Sequence, residues 1–330
     1  MPSSKSMFPA PRGERSPAPY PHMTIGSLYG TLSIGLNTPP GARSDLSDGV
    51  EKAQRLPPYA KRNVYLVDEF AEHVPSDWAR SESGRGAEMV SSYFVGVKPG
   101  QGMWFDFNPM QNDQFHIAVV PSVQGVNPVT GKPASLSMEQ YEKCPVHERP
   151  FARDRYCSGC EYKWPKQNYV ATTGTPYGAF WLDGFRQADG KVRQWLFTEE
   201  ALRGVATHVL GDARQYAVAF AIYRSVAQRP PRRPIFRGGY GVSKGALIGS
   251  SGETFATRSM SASPRLEVAA GALIDQFVYD DPEGIDFWQP KPVGIIMLNY
   301  AHEDEIARIV RAAGVGHNEG PLAGIPVGNP

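Results

Sequence analysis

The chain has 330 residues, 34 Lys and Arg against 33 Asp and Glu, and a formal net charge of +1. A composition that is 41% hydrophobic and 11% aromatic is that of a globular protein and excludes a disordered chain. No run approaches the roughly 18 consecutive apolar residues of a membrane-spanning helix, and near-neutral charge gives no bulk attraction to nucleic acid or anionic lipid.

Residues 1–22 contain six prolines and no Leu, Ile or Val. They lack the apolar stretch of a secretory signal and cannot bury enough surface to offset chain entropy. The expectation is an extended arm, with Phe8, Pro9, Pro11, Tyr20 and Pro21 available to a groove on another surface. The core is expected to start at residue 23. Leu32, Ile34 and Leu36 alternate with small or polar residues, the period of a half-buried strand. Short β-rich runs follow at 64–67, 93–97, 103–107 and 115–120, each bounded by Gly, Pro, Asn or Asp. Asn127-Pro128 and Thr130-Gly131 mark a turn. Residues 179–182 and 192–197 flank Asp189-Gly190 and read as a hairpin. From 215 to 223, Tyr216, Val218, Phe220 and Ile222 share one face. The other carries Ala217, Ala219, Ala221 and Tyr223, so this strand is expected to be central and covered on both sides.

Two helices are expected. Thr198 is placed to cap the first, with Glu199 and Glu200 in its opening turn and Leu202, Val205, Val209 and Leu210 as its apolar stripe. The second runs from 302 to 313, with Glu303, Asp304 and Glu305 at its positive end and Gly314 closing it. Residues 229–263, rich in Pro, Gly, Ser and Arg, read as a linker. Beyond it lies a C-terminal α+β portion, 264–330, with strands near 266–279 and 293–300. The fold class is therefore mainly β: a β-sandwich or jelly-roll-like core over 23–228, with a loop at 141–168 and few helices.

That loop carries the strongest chemical signal. All three cysteines fall in Cys144-Pro-Val-His147 and Cys157-Ser-Gly-Cys160. Two ligands three positions apart grip a metal from one tight turn, and two such turns supply a tetrahedral set. A Cys157–Cys160 disulfide or redox pair, or unliganded thiols, are the alternatives, although an odd cysteine count fits a disulfide framework poorly. The segment resembles a zinc ribbon or zinc knuckle. The resemblance covers residues 143–164 and implies zinc ligands at Cys144, His147, Cys157 and Cys160. It departs from the common pattern in its short spacer and in Glu161, which stands where a glycine usually follows the last cysteine.

Other candidates have bland readings. Residues 229–234 and the glycine-rich runs at 238–241 and 249–252 read as linker and loop, since no phosphate-loop pattern is matched. Asp280, Asp281, Glu283 and Asp286 lack calcium-loop spacing and read as a solvated turn. Trp104, Trp164, Trp181, Trp195 and Trp288 read as core or interface anchors, with a carbohydrate platform as the sharper alternative. His73, His116, His208, His302 and His317 are scattered, and no catalytic motif appears. The expected function is a non-enzymatic structural or assembly protein, such as a component of a virion or other particle. It would hold a structural zinc, self-associate with help from the N-terminal arm, and reside in the cytoplasm or another reducing interior, away from membrane. A zinc-containing nucleic-acid- or peptide-binding module and an enzyme with a dispersed site are the alternatives.

Overall fold

The computed structural model describes residues 17–27, 30–42, 46, 49–56, 61–78, 89–109, 115–174, 180–211, 217–228 and 265–314. The linker expected at 229–263 and the outer part of the N-terminal arm lie outside the described residues.

Two eight-stranded sheets pack face to face as a β-sandwich. The first runs in the order Met23–Ser27, Gly30–Asn37, Gly102–Pro109, Val192–Thr198, Gly184–Arg186. Phe180–Leu182 joins it beside Gly102–Pro109, Glu267–Ile274 beside Val192–Thr198, and Lys61–Arg62 beside Gly30–Asn37. The second runs Tyr65–Leu66, Met89–Val97, Gly294–His302, Ala217–Gln228, Phe115–Val123, Val126–Asn127, Lys132–Pro133, with Val170–Ala171 beside Phe115–Val123. Neighbours are antiparallel except Gly294–His302 with Met89–Val97, which are parallel.

Alternation along the strands builds the core. Leu32, Ile34 and Leu36 from one strand, and Met103, Phe105 and Phe107 from its neighbour, point inward from the first sheet. Val218, Phe220 and Ile222 meet them from the second. The Phe220 ring lies edge-on to Phe105 at 4.9 Å and to Phe107 at 5.4 Å, joining the two layers. Behind Ala217–Gln228, the small Ala221 with Tyr223 packs against Tyr169 and Trp288, so the strand is covered on both faces as its residue pattern requires. Elsewhere the outer face of the second sheet is covered by helix Glu303–Ala312, whose Ile306, Ile309 and Val310 pack with Phe94 and Phe70. Its acidic first turn is tied down: Glu303 pairs with Arg62 and, at 3.0 Å, with Lys98.

Several expectations change. The strands expected in a C-terminal portion lie within the sandwich: Glu267–Ile274 completes the first sheet and Gly294–His302 lies inside the second. The hairpin at Gly190 pairs Val192–Thr198 with Gly184–Arg186, while Phe180–Leu182 turns away to Gly102–Pro109. Thr198 ends a strand rather than capping a helix. Its hydroxyl accepts from the Glu200 amide, and a short 3-10 turn, Ala201–Arg203, precedes a six-residue helix, Val205–Leu210. Leu202, assigned to the apolar stripe, is 82% exposed. The inner end of the arm is docked on its own chain: Tyr20 bridges to Val64, donates to Glu69 and stacks edge-on to Tyr93.

At the bend between Phe180–Leu182 and Gly184–Arg186, Asp183 is buried and its Oδ1 has no hydrogen-bond partner. Burial raises its pKa from 3.8 to about 7. The folded chain thus holds a proton that the unfolded chain has released, and stability declines as pH rises from about 4 to about 7, by up to about 1.4 kcal/mol per unit, then levels off. Asp183→Asn abolishes this component. Urea unfolding across that range should show the advantage of the variant growing with pH and reaching a plateau; a constant difference would refute the assignment.

Candidate metal centre

The loop that carries the cysteines leaves the second sheet after Lys132–Pro133 and returns before Val170–Ala171. Its base is closed by the Gln140–Gln167 bridge and by the Tyr141 amide on the Lys166 carbonyl, 2.7 Å. Within it, the Cys144 carbonyl accepts from the Glu148 amide at 2.8 Å, and the Cys144 amide donates to Arg149 at 3.0 Å, forming one tight turn. The small hairpin of Tyr156–Cys157 with Tyr162–Lys163 forms the other. Each turn presents two ligands spaced as the sequence implies.

The turns bring Cys144, His147, Cys157 and Cys160 together, with their ligand atoms all within 4.8 Å of one another. His147 Nδ1 lies 3.6 Å from Cys144 Sγ and 3.4 Å from Cys157 Sγ, and Cys144 Sγ lies 3.8 Å from Cys160 Sγ. Such edges leave room for one ion at the centre of the four donors. All three cysteines are free thiols. Cys144 and Cys157 are buried, Cys160 is partly exposed, and His147 faces outward. Gly159 sits under the imidazole, where an added Cβ would come within 2.9 Å of the ring.

The electrostatics favour thiolates at two positions. Hydrogen bonding from the Cys160 backbone pulls the Cys157 thiol down to about 7, against the opposing effect of burial. Burial would raise Cys144, but hydrogen bonds from His147 and Val146 outweigh it and lower that thiol as well. Cys160 is raised by burial, although Trp164 Nε1 donates to its sulfur at 3.4 Å. Trp164 stacks in turn with Tyr141 and Tyr162, at 5.2 and 5.0 Å between centroids. The Tyr162 hydroxyl donates to the Thr130 carbonyl, fastening the loop to the sandwich.

Five non-glycine residues among those described have positive φ, and four of them, Glu148, Asp154, Arg155 and Glu161, lie in this loop. Glu161, at φ 48°, occupies the position where the common zinc-ribbon pattern has glycine. Left-handed backbone is disfavoured for a residue with a Cβ, so the departure noted in the sequence is a strained one.

Sequence reasoning missed the anchor beside the loop. Asp281 is not in a solvated turn: it is fully buried and accepts from Tyr169 Oη at 2.7 Å, Trp288 Nε1 at 2.8 Å, the Glu283 amide at 3.1 Å and the Thr173 hydroxyl. Burial and then this carboxylate raise the pKa of Tyr169, keeping it a donor. The Asp281 carbonyl accepts from Lys166, and its amide donates to Gln167 at 3.2 Å, so the base of the metal loop is tied to the same residue. A cluster of Asp and Glu beside Pro282 carries no sign of this, because Tyr169 and Thr173 donate from more than a hundred residues away and nothing local marks Trp288, seven positions on, as a donor.

Among the other candidates, Trp164, Trp195 and Trp288 are buried anchors, whereas Trp181 is 48% exposed. No helix of the described residues is long and apolar enough to cross a membrane. Comparison with protein-family models, curated proteins and solved structures finds no match.

Two variants test this site. Glu161→Gly relieves the left-handed position, and because the side chain is exposed the only offset is the entropy that glycine adds to the unfolded chain. It should raise protection of loop amides in hydrogen exchange by roughly 1 kcal/mol; lower protection would show that Glu161 has a role beyond its backbone. Asp281→Ala leaves buried donors on Tyr169, Trp288 and Thr173 without an acceptor and should cost about 3 kcal/mol or more in denaturant unfolding. A loss below about 1 kcal/mol would refute the anchor role.

Proposed function

We propose that this chain is a non-enzymatic structural or assembly protein whose β-sandwich carries a loop held by one structural zinc ion. The observation that carries the metal assignment is the donor geometry. Zinc–sulfur bonds near 2.3 Å and zinc–nitrogen bonds near 2.0–2.1 Å give tetrahedral edges of about 3.8 Å between sulfurs and about 3.5 Å from sulfur to nitrogen. Three of the six separations, 3.8, 3.6 and 3.4 Å, fall at those values, and all four ligand atoms lie within 4.8 Å of one another. Three thiolates and one imidazole suit a borderline-soft ion, and four protein ligands leave no open position for an activated water. The role is therefore to fix the loop. Thiolate ligands require a reducing compartment, the cytoplasm or a comparable interior.

Assembly is supported by Phe277 and Tyr279, adjoining rings left 69% and 37% exposed beside a shallow apolar groove. A virion or other self-assembled particle is the setting that suits such a sandwich, by analogy of architecture. Nucleic-acid binding through the loop has less support, because Arg155 and Lys166 direct their charges to the carbonyls of Pro165 and Asp281.

Elemental analysis of freshly purified protein should find one zinc per chain, and cobalt substitution should give the visible bands of a tetrahedral thiolate site. A metal content near zero, with the thiols free, would overturn the zinc assignment. Sedimentation should show the full chain self-associating, and removal of residues 1–16 should shift it to a smaller species with an unchanged circular dichroism spectrum. A full chain that is monomeric at every concentration would overturn the assembly reading.

A further inference from the structure

Between the metal loop and the edge of the second sheet lies a half-open cavity of about 120 Å³. Tyr141, Pro145 and Trp164 line it from the loop, and Lys132 and Pro133 line it from the last strand of the sheet. Glu139 lines it from the chain that joins the two. The loop wall is fixed, because Trp164 Nε1 donates to Cys160 Sγ and its ring stacks with Tyr141.

Most of the polar lining is already bonded. Asn127 Oδ1 accepts from the Val129 and Thr130 amides, and its Nδ2 donates to the Asn168 carbonyl. Asn168 accepts from the Glu139 amide and donates to the Ser137 carbonyl. Two charged groups are left. The Glu139 carboxylate accepts from the Ser135 hydroxyl at 2.8 Å and the Tyr141 hydroxyl at 2.7 Å. An ionised carboxylate has about four acceptor positions, so part of its capacity is unused. Lys132 Nζ lies 4.3 Å from the centre of the Tyr162 ring and makes no hydrogen bond or ion pair among the described residues. Glu139 likewise has no cationic partner among them. The charges are pinned apart, the carboxylate by two hydroxyls and the ammonium by an aromatic face.

The chemistry narrows what belongs between them. An anion alone would be repelled by Glu139, a cation alone by Lys132, and a neutral molecule would leave both charges unmatched. A molecule carrying both charges satisfies both walls. The unused acceptor positions of Glu139 call for N–H donors, so the cationic group is a primary ammonium rather than a quaternary one; Lys132 calls for a carboxylate. Space sets the scale. A cavity of about 150 Å³ takes benzene, so this one, of about 120 Å³, takes an ammonium and a carboxylate carried on a single carbon. We infer that the cavity binds a free α-amino acid, its ammonium bonded to Glu139 and its carboxylate to Lys132. The loop then forms one wall of a ligand site, which goes beyond the structural role proposed above.

Calorimetric titration of the full chain with the common amino acids tests this, with glycinamide and N-acetylglycine as probes that keep only the positive or only the negative charge. A small amino acid such as glycine or alanine should bind saturably at millimolar concentration or below. Each one-charge probe should bind about tenfold or more weakly than glycine. In Lys132→Met the preference for glycine over glycinamide should vanish, and in Glu139→Gln the preference over N-acetylglycine should vanish. Lys132 is half-buried and Glu139 exposed, and thermal unfolding verifies the fold of both variants. The probes on the unaltered chain decide the matter where a variant fails to fold. No saturable binding by any amino acid, equal binding of the one-charge probes, or preferences that persist in both folded variants would overturn the inference. Metal content is read separately, so failure here leaves the zinc assignment standing.

Discussion

The strand Gly294–His302 lies between Met89–Val97 and Ala217–Gln228, and the second sheet is not continuous until this C-terminal strand is in place. The rest of the architecture depends on that insertion. Ile296 and Leu298 close the inner face against the first sheet, Tyr300 meets Phe197 at 5.1 Å, and the helix that follows lands on Phe94 at the back. Contacts of such long sequence separation are costly in loop entropy before they bring any apolar burial. Glu267–Ile274 and Gly294–His302 are consequently built into the two sheets of the sandwich rather than set beside them.

The metal loop obeys a different economy. Its own apolar cluster is little more than Cys144, Cys157, Tyr162 and Trp164, and it contains four left-handed non-glycine residues. At roughly 1–2 kcal/mol for each such position, the strain exceeds what so small a cluster offsets comfortably. A structural zinc site supplies on the order of 10 kcal/mol, enough to hold the loop with that strain in place. This comparison favours metal over free thiols, and over a Cys157–Cys160 disulfide, which would leave Cys144 and His147 without a task.

Period-two alternation made the large strands readable, because a buried face demands it: Leu32, Ile34 and Leu36, and the Val218, Phe220 and Ile222 face, are where that pattern places them. The ligand set was readable because spacing within two tight turns fixes it locally. Short range was also the limit. At Thr198 the hydroxyl accepts from the Glu200 amide as a cap would, yet Glu200 is extended at φ −83°, ψ 96°, and the chain makes only a 3-10 turn before Gly204. Asp281 was not readable as an anchor: Tyr169 and Thr173 reach it from more than a hundred residues away, and nothing in the local pattern marks the indole of Trp288, seven positions on, as its donor.

Asp281 also sets how far the loop and the sandwich feel each other. The loop touches this residue through its backbone, by way of Lys166 and Gln167, and through Tyr169 at its last position, whereas Thr173, Trp288 and the Glu283 amide hold the carboxylate from beyond the loop. A charge-assisted carboxylate bonded by four donors is a strong and well-satisfied junction. If the loop opens, the carboxylate keeps Thr173, Trp288 and the Glu283 amide. The junction therefore acts as a firebreak, since the strand pairing on either side of the loop runs through none of its ligand residues.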